Sequence, residues 1–64
     1  MQGTRIKYFR ERQNLTKSEL ASKMGVTHTA VAKWESGKNY PKIKSLPKLA
    51  EVLNCNVLEL LPKE

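Results

Sequence analysis

In the stretch LTKSELASKMGVTHTAVAKWESGK, residues 15–38, two helix-start signals and two glycines fall so close together that only two short helices joined by a tight turn can satisfy them. Thr16 is a good N-cap, because its hydroxyl can accept from a free backbone N–H, and Glu19 three residues later completes a capping box. A helix should begin at about Lys17. Leu20, Ala21 and Met24 then share one inward stripe, and Gly25 stands where a left-handed C-terminal cap is usual. Thr27 is again an N-cap residue, so a second helix over about 28–36 can start almost at once. Val31 and Trp34 point it toward the core, and Gly37 ends it.

The flanking segments read as scaffold. In TRIKYFRERQN, residues 4–14, Ile6 and Phe9 sit three apart with Arg10 beside them, which predicts a first helix ended by Asn14. Tyr8 lies off that stripe and can reach solvent or phosphate. The segment KNYPKIK, residues 38–44, carries turn residues and a proline and reads as a loop with a basic rim. Ser45 can cap a fourth helix, with Pro47 tolerated in its first turn, where backbone N–H groups lack internal partners anyway. Leu46, Leu49, Ala50 and Leu53 form its buried face and Asn54 ends it. Asn56 with Glu59 then opens a short last helix holding Val57, Leu60 and Leu61 before Pro62.

Two helices joined by so short a turn must cross steeply, the helix-turn-helix arrangement whose second member is held out to dock in the major groove of DNA. The order LTKSELASKMGV, THTAVAKWESGK, then a proline and LPKLAEVLNCNVLELL resembles the DNA-binding domain of phage repressor and Cro-like regulators, the XRE family. The likeness runs from about Ile6 to Leu61. It implies an all-α fold, a compact five-helix bundle of the lambda-repressor-like type whose second and third helices form the helix-turn-helix, with residues 1–64 as one domain.

Composition bounds the same picture. A chain of 64 residues builds one small core and buries only roughly 60% of the surface its unfolded form exposes. Cys55 is the only cysteine, which excludes an internal disulfide and any multi-cysteine metal site. No apolar run reaches the roughly 18 residues of a membrane span, nor does the first segment resemble a signal peptide, so a soluble cytoplasmic protein without membrane contact is expected. The net charge of +6 is unevenly placed: residues 1–44 hold ten Lys or Arg against three Glu, while residues 45–64 hold two Lys against three Glu. Such a basic surface attracts phosphate polymers before any specific contact forms.

With Val31 and Trp34 inward, the outward positions of the third helix are Thr27, His28, Thr29, Ala32, Lys33 and Ser36. His28, Thr29 and Lys33 can donate to or accept from base edges, Lys33 favouring guanine, and Ala32 is small enough to meet a thymine methyl. The resemblance gives most base contacts to these positions, and Thr27, His28, Thr29, Ala32 and Lys33 are the candidate readers. Candidate phosphate contacts lie around them: Lys17 at the start of the second helix, where the family usually has glutamine, then Ser36, Lys38, Asn39, Tyr40, Lys42 and Lys44. An acid in the last turn of a helix opposes the helix dipole, so Glu35 should have a cationic partner, and Arg10 is the best placed. In the phage repressor branch the matching pair bridges these helices.

His28 has no catalytic or metal-ligating companion, since the chain contains no Asp and its glutamates are scattered. Neither enzymatic activity, a metal nor a cofactor is expected. The function best matched is a sequence-specific double-stranded DNA-binding transcriptional regulator, a repressor acting at an operator. An RNA-binding or coactivator-like use of the fold would call for stacking aromatics, yet only Tyr8, Phe9, Trp34 and Tyr40 are present. A protein-interaction module that has lost DNA binding would be easier to reconcile with an acidic third helix. From size and resemblance the chain is expected to be monomeric in dilute solution and to form a homodimer on DNA, through the loop before the fourth helix and the end near Pro62 to Glu64.

Overall fold

The computed structural model describes residues 4–60. Four α-helices follow one another, α1 (Thr4–Arg12), α2 (Lys17–Met24), α3 (His28–Ser36) and α4 (Leu46–Leu53), with 3-10 turns at Ile43–Ser45 and Val57–Leu60. There is no strand among the described residues. α2 packs on α3 and α4, while α1 packs on α3, α4 and the last 3-10 turn, so every helix buries one stripe in a common core. Ile6, Leu20, Val31, Leu49, Leu53 and Leu60 are fully buried there, with Trp34 and Leu46 almost so. Each such aliphatic side chain stabilises the fold by about 1.5–3 kcal/mol relative to leaving it in water.

All four helices stop by one device, a residue in the left-handed region just past the last turn. Gly25 and Gly37 have φ of 71° and 83°, and Asn14 and Asn54 have φ of 58° and 56°. In each case the next N–H reaches back over the turn: Leu15 N to Arg10 O, Val26 N to Ala21 O, Lys38 N to Lys33 O and Cys55 N to Ala50 O, at 2.9–3.2 Å. This is the Schellman arrangement, which satisfies carbonyls that would otherwise be orphaned. At the start of α2 both arms of the capping box close, Glu19 N to Thr16 Oγ1 at 3.0 Å and Thr16 N to Glu19 Oε1 at 2.8 Å.

Three expectations need correction. Among the described residues the bundle has four α-helices rather than five, because Val57–Leu60 winds as a 3-10 turn; Leu58 N bonds the Asn56 side chain at 3.4 Å and Glu59 N the Asn56 carbonyl at 3.0 Å. Leu61, assigned to that helix, lies outside the described residues, as do Pro62 to Glu64. Ser45 does not cap α4 with its hydroxyl. A capping side chain needs an extended backbone, whereas Ser45 has φ −86° and ψ −13° because the 3-10 turn Ile43–Ser45 runs straight into α4. That turn also replaces the end of the expected loop. No helix among the described residues is long and apolar enough to cross a membrane.

Candidate nucleic-acid interface

The interface is built on α3, a helix fixed at both ends. Thr27 is extended and its Oγ1 accepts from Ala30 N at 3.1 Å, so the cap starts the helix only three residues after α2 stops. At the other end the Lys33 carbonyl accepts from the Gly37 N–H of the cap and gathers, besides it, Lys38 N at 3.0 Å, Ser36 Oγ at 3.2 Å and Asn39 N at 3.3 Å. The backbone under Lys33 is thereby tied to the residues that leave the helix. Val31 and Trp34 anchor the inner stripe, and α3 leaves His28, Thr29 and Lys33 exposed to solvent.

Not every outward position is equally open. Ala32 is half-buried, so only part of its methyl group faces out. Thr27 is exposed but its oxygen is occupied by the cap, leaving its O–H as the group able to bond elsewhere. Ser36 donates its hydroxyl proton to the Lys33 carbonyl, and a phosphate contact would require that bond to switch.

Along the chain, cations both precede and follow α3. Lys17, half-buried, is the first residue of α2, where unpaired N–H groups and the helix dipole also favour an anion. Past Gly37, Lys38, Asn39, Lys42 and Lys44 are exposed. Tyr40 is half-buried beside the buried Pro41, and burial pushes its phenol pKa upward. A cleft of about 470 Å³ separates this segment from the α2–α3 turn, with Gly25, Val26 and Ala30 on one wall and Asn39, Tyr40 and Lys42 on the other. Ile43, which the sequence reading did not single out, is 82% exposed between Lys42 and Lys44. Its one local signal is an apolar residue isolated among lysines.

Behind α3, Arg10 reaches from α1 to Glu35. Its Nε donates to Oε2 at 2.6 Å and its Nη2 to Oε1 at 3.1 Å, while Nη1 donates to the Leu15 carbonyl at 2.7 Å. The hydrogen bond to Glu35 holds the guanidinium pKa above its ordinary value against the opposing effect of burial. The arrangement aims no charge outward; it fixes the end of α3 against α1. Among the described residues there is no group of three His, Cys, Asp or Glu able to hold a metal ion.

The helix-turn-helix family model matches residues 6–60. The chain is similar to the HTH-type transcriptional activator BcrR of Enterococcus faecalis, with 38% identity over 60 residues, 94% of this chain but only 29% of that protein. Its fold is similar to the P22 c2 repressor in complex with synthetic operator 9T, with TM-score 0.88 and 28% identity, covering 95% of this chain and 92% of that one. It is also similar to SinR, a master regulator for biofilm formation solved in complex with DNA, with TM-score 0.82 and 36% identity, covering 94% of this chain and 97% of that one.

Proposed function

The chain belongs to the helix-turn-helix family, and from that premise we propose that it is a sequence-specific, double-stranded DNA-binding transcriptional regulator of repressor type. Residues 1–64 act as one DNA-binding domain in the cytoplasm, with α3 lying in the major groove. The observation that carries this reading is the exposed face of α3: a helix capped at both ends, offering His28, Thr29 and Lys33 to base edges, with lysines before and after it.

In this reading base recognition and anchoring use different groups. Lys33 reaches guanine O6 and N7, His28 and Thr29 bond adjacent base edges, the O–H of Thr27 extends the same row, and the Ala32 methyl meets thymine. Lys17, Lys38, Asn39, Tyr40, Lys42 and Lys44 bind phosphate, with Ser36 joining them when its hydroxyl turns from the helix. They set the register of the domain without carrying sequence information. Two copies bind a two-fold operator, and pairing on DNA adds the second half-site. No catalytic step enters.

Selection of duplexes from a random pool, followed by salt-titrated binding to the winner, to random duplex and to single-stranded RNA, tests the proposal. The expected result is a preferred two-fold site bound at least about 10³-fold more tightly than random duplex, the low end of the range for specific regulators. Equal affinity for all three would sink it.

A further inference from the structure

A second site lies away from α3, in the groove between α1 and the segment that follows α4. It has a volume of about 440 Å³, within the roughly 300–1,000 Å³ typical of small-molecule sites, and none of its lining residues belongs to α2, α3 or the segment between α3 and α4. Its wall on α1 is a ladder of alternating cations and rings. The Arg5 guanidinium stands 5.2 Å from the Phe9 ring centroid and 5.8 Å from that of Tyr8, and the Arg12 guanidinium stands 5.6 Å from Tyr8 on the other side in sequence. Tyr8 and Phe9 meet edge to face with centroids 5.0 Å apart. Tyr8 remains 49% exposed.

We propose that this groove binds a small anion carrying a flat unsaturated ring, either a nucleoside monophosphate or an aromatic carboxylate. The charge requirement comes from the arginines. Among the described residues no carboxylate lies within ion-pair distance of Arg12, which spends one N–H on the Tyr8 hydroxyl at 3.3 Å. Among the same described residues Arg5 has only Glu59 at 3.9 Å, both half-exposed, a pairing worth little in water. Guanidinium groups held beside rings keep their remaining N–H groups for an anion, and a planar fork can receive a phosphate or carboxylate in bidentate fashion.

The ring requirement comes from the surfaces beside those groups. Guanidinium planes and the exposed Tyr8 ring both offer flat faces against which an unsaturated ring gains dispersion and cation–π attraction. Glu59 closes the Arg5 end, so the anionic group belongs at Arg12 and the ring toward Arg5. There the Glu59 carboxylate accepts from an amino group on the ring. Of the two sources this favours an amino-bearing base over a plain aromatic acid.

The experiment follows side-chain NMR signals of Tyr8 and Arg12 in the full chain during titration through the millimolar range with adenosine monophosphate, benzoate and inorganic phosphate. Expected are saturable shifts at both residues with the first two probes, adenosine monophosphate binding more tightly and inorganic phosphate at least about tenfold more weakly, the factor that one missing interaction of about 1.4 kcal/mol gives. Arg12→Gln should weaken adenosine monophosphate by about tenfold because a charge-assisted bond is removed, with Arg12→Lys intermediate because it keeps the charge but not the planar fork. Both arginine variants replace an exposed residue, and circular dichroism checks their folding. Tighter binding of benzoate would assign the site to aromatic carboxylates within the same class. Absence of saturable shifts, inorganic phosphate binding as well as the ringed anions, or affinity unchanged in folded Arg12→Gln would each overturn the proposal.

Discussion

Arg10 and Glu35 are joined by two parallel hydrogen bonds across α1 and α3, and both side chains are almost entirely out of water, 9% and 5% exposed. Glu35 sits in the last turn of α3, where a carboxylate opposes the helix dipole, and the guanidinium offsets that repulsion. Removing either partner strands a buried charge. Arg10→Met and Glu35→Leu should each destabilise the fold by about 3 kcal/mol, and the double variant that carries both apolar replacements should cost less than the sum. Arg10→Met should be the worse single change, because it also leaves the Leu15 carbonyl without its donor. Chemical denaturation of the four proteins closes the cycle; additive single effects would show that the two groups are not coupled.

Gly25 offers a clean measure of what the tight turn demands. Its φ is 71°, and a Cβ built there meets nothing within 4 Å, so Gly25→Ala adds backbone strain and no clash. The expected cost is about 1–2 kcal/mol, the penalty of the left-handed conformation for an ordinary residue. Gly25→Asn should recover part of it, since asparagine already holds that conformation at positions 14 and 54. Thermal melts of the two variants check this, and an alanine variant as stable as the parent would contradict a strained turn.

Thr27 carries two duties that substitution can separate. Thr27→Ala removes the oxygen that accepts from Ala30 N and should cost about 1 kcal/mol of stability. Thr27→Asp restores a cap, yet places a negative charge beside the proposed DNA surface. Its melting temperature should return toward the parent value while operator affinity falls. If stability is unchanged in the alanine variant, the cap contributes nothing to starting α3.

These cases show which parts of the molecule can be read in the chain itself. Asn14, Gly25, Gly37 and Asn54 mark helix ends legibly because a left-handed cap is a local event, decided by one residue and its nearest carbonyls. Ser45 and the last turn misled for the opposite reason. Whether residues 43–45 and 57–60 wind as 3-10 turns depends on how buried Pro41, Leu46 and Leu60 seat in the core, which no short window contains. The exposed face of α3 follows from the positions of Val31 and Trp34, but the bonds already made by Thr27 and Ser36 do not. The groove beside Tyr8 brings Arg5 and Arg12 next to Cys55 and Glu59, residues far apart in sequence that only packing of α1 on the last turn makes neighbours.

Cys55 and Tyr40 give the fold a pH dependence on the alkaline side. Burial raises both pKa values, with Glu59 adding to the effect at Cys55, so the native state holds these protons more tightly than the unfolded chain does. This contribution is complete below the ordinary thiol and phenol pKa values of the unfolded chain and is lost as pH rises from there through the raised native ones. Stability should therefore fall from mildly alkaline pH upward, and Cys55→Ser should flatten the earlier part of the decline. Denaturation across that range checks the sign; a rise in stability would refute it. Native Cys55 should also react with iodoacetamide more slowly than in the unfolded chain at the same pH.

Lys33 and Lys38 separate reading from anchoring, because the two contact types obey different physics. A base contact exists only on the right sequence. Lys33→Ala should cost about 1–3 kcal/mol on the preferred operator and far less on random duplex, relaxing discrimination at one or two base pairs in each half-site. A phosphate contact is the same on every duplex. Lys38→Ala should weaken operator and random DNA alike and reduce the salt slope by about one unit for each phosphate no longer neutralised. The structure makes the comparison sharp, since the Lys33 carbonyl accepts from Lys38 N at 3.0 Å and the two side chains leave one backbone junction. Neither alanine variant removes that bond, so differences between them report side-chain contacts rather than a displaced helix. Should Lys33→Ala flatten the salt dependence and weaken both duplexes equally, Lys33 is an anchor and reading falls to Thr27, His28, Thr29 and Ala32. If substitutions at those positions behave the same way, α3 does not read sequence and the regulator reading fails with it.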